Sequence, residues 1–136
     1  MTNILFLPTV QFATTAPSAA DLLDVICTFL NGSTPIDLTG IAFRSQIRPS
    51  ANDPTVVLDA QTSNWASSDI ASANGWLVSG GTAGSLSWAI PQSKIGALPI
   101  QAQVVDILAR ADGRFALVGT GSFTVAKSVT RWFPQV

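Results

Sequence analysis

The feature that most constrains the fold is a long strand pair in the last third of the sequence. Gln101 to Arg110 and Phe115 to Val125 both read as strands, joined by a short segment that contains Asp112 and Gly113. An Asp-Gly pair favours the positive φ angles that a tight hairpin needs. The stretch therefore reads as a large part of the sheet of a small all-β protein.

The segment from Ile41 to Arg48 predicts a strand with one face in the core and one in water. Its residues alternate strictly between two sets, Ile41, Phe43, Ser45 and Ile47 on one face and Ala42, Arg44, Gln46 and Arg48 on the other.

Turn signals cut the rest of the chain at short intervals, as in a sandwich or barrel. The further predicted strands are Ile4 to Phe12, Leu22 to Leu30, Thr55 to Ala60, Trp76 to Ser79 and Ser85 to Ile90. Pro91 to Pro99 has room for only a short helical connector. We expect residues 1–136 to form one antiparallel β-sandwich of about 7–9 strands, with an N-terminal arm at 1–20 and a C-terminal tail at 126–136.

The last predicted strand contains two glycines that indicate an irregularity. On an unbroken pleat, one face of this strand carries Phe115, Leu117, Gly119, Gly121, Phe123 and Val125. Glycines at such positions predict a bulge or the close approach of a bulky side chain.

The composition predicts that other subunits cover part of the surface. Hydrophobic residues make up 47% of the 136 residues, charged residues only 11%, and the formal net charge is -1. Such a surface has little electrostatic protection against self-association. The seven basic residues are scattered, so nucleic acid is not an expected partner.

The residue types also argue against catalysis, metals and cofactors. The chain has no His and a single cysteine, Cys27, which excludes a Ser-His-Asp triad, a His-based metal site and an internal disulfide. We expect Cys27 to be a small buried hydrophobe. Several aspartates lie beside turn residues, where the side chain bonds to nearby backbone; these are Asp37, Asp53, Asp69 and Asp112.

Asp106 differs because it lies within the apolar run "QVVDILA". A carboxylate in the middle of a strand calls for a partner, and Arg44 is the candidate. The alternative is a solvated position on an edge strand. Either role is structural.

Two sets of apolar residues are candidates for contacts with other molecules. Trp65, Trp76 and Trp88 are candidates for stacking on sugars, although tryptophan in such a domain is more often buried. Both chain ends are apolar and are expected to dock onto this domain or a neighbour, through Ile4, Leu5, Phe6, Leu7, Phe12, Trp132 and Phe133.

The sequence gives no sign of a membrane partner or of export. No apolar stretch reaches the roughly 18 residues that a membrane span needs. The first residues lack the basic segment of a signal peptide. We therefore expect folding in a cytoplasm.

Several pieces of the sequence together resemble a known family. These are "IDLTG" at 36–40, Arg44 with Arg48, the strand "VVD" that leads to Asp112-Gly113, and Gly121 followed by "SVTR". In this order, across residues 31–131, the chain resembles the small immunoglobulin-like domain of tailed bacteriophages and prophages. That domain is best known at the N-terminus of baseplate upper proteins, where it helps attach receptor-binding parts to the tail.

The resemblance implies an immunoglobulin-like sandwich and a non-enzymatic role in the virion. We expect a tail, baseplate or fibre-attachment component, made and folded in the host cytoplasm, that contacts itself and other virion proteins. Two alternatives stay open: a head decoration protein, and a carbohydrate-binding module that uses an exposed tryptophan.

Overall fold

The computed structural model of the chain describes residues 7–65 and 75–127. These residues form an all-β fold, as the sequence predicts. The strands within them are β1 (Val10–Pro17), β2 (Val25–Thr28), β3 (Leu30–Asn31), β4 (Thr34–Pro35), β5 (Ala42–Arg48), β6 (Leu58–Gln61), β7 (Gly75–Ser79), β8 (Ser85–Ala89), β9 (Ala102–Ala111) and β10 (Arg114–Ala126). The predicted helical connector is confirmed as a single turn, α1 (Gln92–Ile95), which begins after Pro91.

Eight of these strands form one sheet that is nearly closed like a barrel. Their order is β1-β10-β9-β5-β6-β7-β8-β2, and the two end strands β1 and β2 lie against each other. The pairs β1 with β10 and β6 with β7 are parallel. The prediction of a purely antiparallel sheet is therefore wrong at these two places, where the paired strands are not joined by a hairpin.

The core lies inside this sheet and comes from the alternation of the strands. On β5, Phe43 and Ile47 are buried while Arg44 and Arg48 are partly exposed, as the alternation predicts. The largest buried side chain is Trp88 on β8, whose Nε1 donates to Thr14 Oγ1 at 3.0 Å. A buried indole N–H with an acceptor avoids an unpaired donor in the core.

The β9–β10 hairpin forms as the sequence predicts. Asp112 has φ 53° and Gly113 has φ 73°, the left-handed pair that suits a two-residue hairpin loop. β9 then pairs with β5 on its other side. Asp106 therefore lies on an inner strand of the sheet, so the alternative of an edge-strand position is wrong, although its side chain is exposed.

A bulge in β10 changes which side chains face the core. The register with β9 shifts between Leu117 and Gly119, which confirms the predicted irregularity. Phe123 and Val125 are buried, whereas Phe115 and Leu117 are exposed. The prediction that all four share one face is wrong, because one extra residue reverses the alternation.

The two glycines of β10 allow β1 to come close. Phe12 lies opposite Gly121 in the parallel pair, and a Cβ at Gly121 would overlap the Phe12 carbonyl oxygen. The structure thus contains both features that the glycines predict: a bulge in β10, and the close approach of a bulky side chain, that of Phe12. Phe12 packs against the core and Leu7 belongs to it.

The ends of the domain differ from the predicted arm and tail. β1 spans most of the second half of the predicted arm at 1–20, and β10 ends inside the predicted tail at Ala126. Leu7 and Phe12 thus dock onto this domain. The other terminal contact residues lie outside the described residues; they are Ile4, Leu5, Phe6, Trp132 and Phe133.

Gly121→Ala should destabilise the domain by about 1–3 kcal/mol, because the new methyl group cannot fit beside the backbone of Phe12. Urea unfolding followed by tryptophan fluorescence measures the change. Ser122→Ala is the matched control. Ser122 follows Gly121 on β10 and its side chain points outward, so we expect a change within about 0.5 kcal/mol. Equal midpoints for the two variants would contradict the close packing of β1 on β10.

Candidate interaction site

The candidate site is an open groove on the outer face of the sheet, with a volume of about 890 Å³. It lies where the outward side chains of β5, β9 and β10 meet those of β1. We call it the arginine groove. Among the described residues its lining includes Arg44, Gln46, Arg48, Trp65, Asp106, Leu108 and Phe115.

A partly buried ion pair anchors one side of the arginine groove. Arg44 Nη2 donates to Asp59 Oδ2 at 2.6 Å and Arg44 Nε donates to Asp59 Oδ1 at 3.1 Å. Gln46 Nε2 also donates to Asp59 Oδ2, at 3.2 Å. Three charge-assisted hydrogen bonds satisfy a carboxylate that is almost fully buried.

Arg44 forms a bidentate ion pair with Asp59, and not with Asp106, the candidate partner from the sequence. Asp106 lies opposite Gln46 in the β5–β9 register and is exposed. Asp59 was within reach of sequence reasoning. It lies between the inward residues Leu58 and Ala60 on the strand that follows β5, and consecutive strands often pair.

Arg48 is held at the same side of the groove. Its Nη2 donates to Gln46 Oε1 at 3.0 Å, and its Nη1 donates to the carbonyl of Asp53 at 3.2 Å. Both acceptors are neutral. Arg48 therefore meets no carboxylate oxygen in these two hydrogen bonds.

The other side of the groove is aromatic. The guanidinium carbon of Arg110 lies 4.6 Å from the ring centroid of Trp65, a cation–π geometry. Phe115 meets the same indole edge to face, with ring centroids 6.2 Å apart. Trp65 is buried while Phe115 stays exposed.

Exposed apolar side chains continue this surface along β9 and β10. Val104, Leu108, Phe115 and Leu117 are all large, apolar and exposed. The sequence did not single out Phe115 and Leu117 as surface residues, because an unbroken strand puts them on the same face as Phe123 and Val125. Gly119 and Gly121 were the sequence feature that could have revealed this, because a bulge beside them puts the residues before it on the opposite face.

The three candidate tryptophans have different environments. Trp88 is 1% exposed and packs in the core against Phe123, and Trp65 is 6% exposed beneath Arg110. These two do not present a free ring face for sugar stacking. Trp76 on β7 is 41% exposed.

Two of the four aspartates that lie beside turn residues, Asp37 and Asp53, accept hydrogen bonds from local backbone, as predicted. Asp37 Oδ1 accepts hydrogen bonds from the amide and hydroxyl of Thr39, which lower the pKa of its carboxyl. Asp53 Oδ1 accepts from the amide of Thr55 at 2.8 Å. Asp112 takes part in the hairpin turn, and Asp69 lies outside the described residues.

Within residues 7–65 and 75–127, no group of three or more metal-ligating side chains comes together. No helix in that same part of the chain has the length and apolar character to cross a membrane.

In comparisons with known proteins, neither a protein-family model nor a curated protein matches the chain. The interpretation of the groove therefore depends on its own geometry.

Asp59→Ala should destabilise the domain by about 2 kcal/mol, because Arg44 and Gln46 lose their shared acceptor. This is less than the roughly 3–5 kcal/mol for a fully buried pair, since 23% of the Arg44 side chain is exposed. The matched control is Asp106→Ala, which should change stability by no more than about 0.5 kcal/mol. Chemical denaturation measures both, and an equal loss at Asp106 would restore it as the partner of Arg44.

Cys27, predicted to be buried, is only partly buried against the core. This burial raises the pKa of its thiol from 9.0 to about 11. The unfolded thiol therefore ionises first, so the domain should lose stability as the pH rises from about 9 to 11. The absence of tyrosine removes the residue that most often titrates in this range. Urea midpoints at several pH values should fall more steeply for the natural chain than for Cys27→Ala. Parallel curves for the two proteins would contradict the burial of this thiol.

Proposed function

We propose that the chain is a non-enzymatic structural protein of a tailed bacteriophage particle. Its place is in the tail, the baseplate or the attachment of a fibre, and it acts through contacts with itself and with other virion proteins. It is made and folded in the host cytoplasm. Neither nucleic acid nor a membrane is part of this proposal.

The strand order supports an immunoglobulin-like sandwich. In that fold the G, F and C strands form one sheet, which variable-type domains extend with C′, and the B, E and D strands belong to the other. With β2 as B, β5 as C, β6 as C′, β7 as D, β8 as E, β9 as F and β10 as G, the observed order separates into G-F-C-C′ and D-E-B. The B–F disulfide of antibody domains has no counterpart in a chain with one cysteine.

The observation that carries the proposal is the row of exposed apolar side chains beside the arginine groove. Large exposed patches on a small soluble protein mark surfaces that other proteins cover. Here the patch lies on a face that also contains fixed arginines, the mixture that is typical of protein interfaces. Two inner strands of the sheet carry it, so the surface is rigid before any partner binds.

A head decoration protein would use the same surface, so the position in the particle has to be measured. Electron microscopy of purified particles of the phage or prophage that encodes the chain would locate its copies. We expect them in the tail or baseplate. Copies on the capsid would favour the decoration role, and absence from the particles would overturn the virion proposal.

Leu117→Lys should reduce incorporation into particles while the domain stays folded, because it places a charge in the apolar row. Quantitative blotting of purified particles measures incorporation, and circular dichroism measures folding. Gln101→Lys adds the same charge at another exposed position and should be incorporated normally. Normal incorporation of both variants would show that this row is not a contact in the particle.

The exposure of Trp76 favours one second candidate, a carbohydrate-binding module. A flat indole on the outer face of a sheet can stack on a sugar ring. Glycan-array binding that Trp76→Ala abolishes, with folding intact, would support this function in place of assembly.

A further inference from the structure

A second apolar surface lies on the strands β2, β7 and β8. The sequences of these strands, VICT, GWLVS and SLSWA, contain no charged residue. Four large side chains on or beside them are exposed: Leu23 by 70%, Val25 by 61%, Val78 by 51% and Trp76 by 41%. We call this surface the uncharged face.

The register places most of these side chains on one side of the sheet. Val25 and Val78 both lie opposite Ser87 on β8, and Trp76 lies opposite Ala89. Residues directly opposite each other in an antiparallel pair project from the same side. The large side chains of β2 and β7 thus flank small ones on β8, which gives a broad apolar surface with a shallow middle.

The uncharged face and the arginine groove point in opposite directions. In the order of eight strands, β9 is third and β8 is seventh. In a sheet that closes on itself almost completely, strands four places apart lie across the core from each other. A single copy cannot cover either surface with the other.

The charges beside the two surfaces are complementary. Arg44 is paired with Asp59, which leaves Arg48 in the arginine groove and Arg110 at its aromatic side. Among the described residues that line the groove, Asp106 is the one carboxylate. The uncharged face is bordered by the exposed carboxylates of Asp21 and Asp24. Asp24 lies between Leu23 and Val25 in the chain, so an apolar contact through these residues brings a negative charge with it.

We propose that the arginine groove of one copy binds the uncharged face of a second copy, with Asp24 next to the groove arginines. This inference rests on the proposed function and deepens it by naming the partner as the chain itself. Because the two surfaces lie on opposite sides, each copy keeps one of them for a further neighbour. Such a head-to-tail contact builds a ring if the rotation closes, or an open stack if it does not.

A groove-to-groove dimer explains the structure less well. It would place Arg48 and Arg110 of each copy near the same positive charges of the other, and the described lining of the groove offers the one carboxylate of Asp106 against them. It would also leave Trp76, Val78 and Val25 in water. The head-to-tail contact covers both apolar surfaces and pairs opposite charges.

Two single variants of the full chain test the proposal. Leu108→Lys adds charge to the arginine groove, and Val78→Lys adds charge to the uncharged face; both side chains are exposed. Each variant alone should self-associate at least about tenfold more weakly than the natural chain, because each contact buries an unpaired charge. The control Gln101→Lys should associate like the natural chain. Sedimentation velocity measures the association, and circular dichroism confirms folding.

Mixing the two variants gives the decisive result. The Leu108→Lys copy keeps its uncharged face and the Val78→Lys copy keeps its groove, so the mixture should form a complex with one copy of each and nothing larger. Two outcomes would overturn the head-to-tail contact: a mixture that stays monomeric, or a Val78→Lys protein that associates normally while Leu108→Lys does not. A dissociation constant above about 1 mM is weaker than that of most specific contacts. A natural chain that remains monomeric at about 1 mM would therefore overturn the head-to-tail contact as well.

Charge reversal gives a second measurement. Asp24→Arg and Arg48→Glu should each weaken self-association, and the double variant should regain part of it. If these variants associate like the natural chain while the chain is still found in particles, the copy-to-copy contact is wrong and the virion role stands. Absence of the chain from particles would remove the virion role itself.

Discussion

The β9–β10 hairpin is the element on which the rest of the structure depends. It contains the two longest strands, and its turn at Asp112 and Gly113 sets their register. β9 offers its free edge to β5, and β10 offers its free edge to β1. Four neighbouring strands of the sheet therefore take their positions from one local turn. Because a hairpin forms between residues close in sequence, it is also the part of the sheet with the smallest loss of chain entropy.

The bulge in β10 divides the hairpin into two parts with different roles. After the bulge, Phe123 and Val125 face inward and pack in the core with Trp88. Before it, Phe115 and Leu117 face outward and extend the surface beside the arginine groove. The same strand thus contributes to stability at one end and to the candidate interface at the other. The glycines that permit the change also admit Phe12, so β1 is held at the point where the strand reverses its faces.

The surface chemistry follows from how few charges the chain has. With 11% charged residues, most outward positions are apolar or neutral, and each fixed charge has a large effect on its surroundings. Three arginines, Arg44, Arg48 and Arg110, lie on β5 and near the end of β9, where Asp59, Gln46 and Trp65 hold them in place. The strands β2, β7 and β8 across the core have none. The fixed arginines of the described sheet therefore lie across the core from strands that carry no charged residue.

Sequence alone predicts the all-β class, the β5 alternation, the tight turn at Asp112-Gly113, the short helix after Pro91 and an irregularity at Gly119 and Gly121. Each of these depends on residues within a few positions of one another, where φ preferences and side-chain periodicity act directly. Four other features follow only from the tertiary structure. They are the partner of Arg44, the parallel pairing of β1 with β10, the outward position of Phe115, and the burial of Trp65 and Trp88. These features depend on which strands become neighbours and on where one extra residue is accommodated. Local preferences are the same for several such arrangements, and only the packing of the whole sheet selects one.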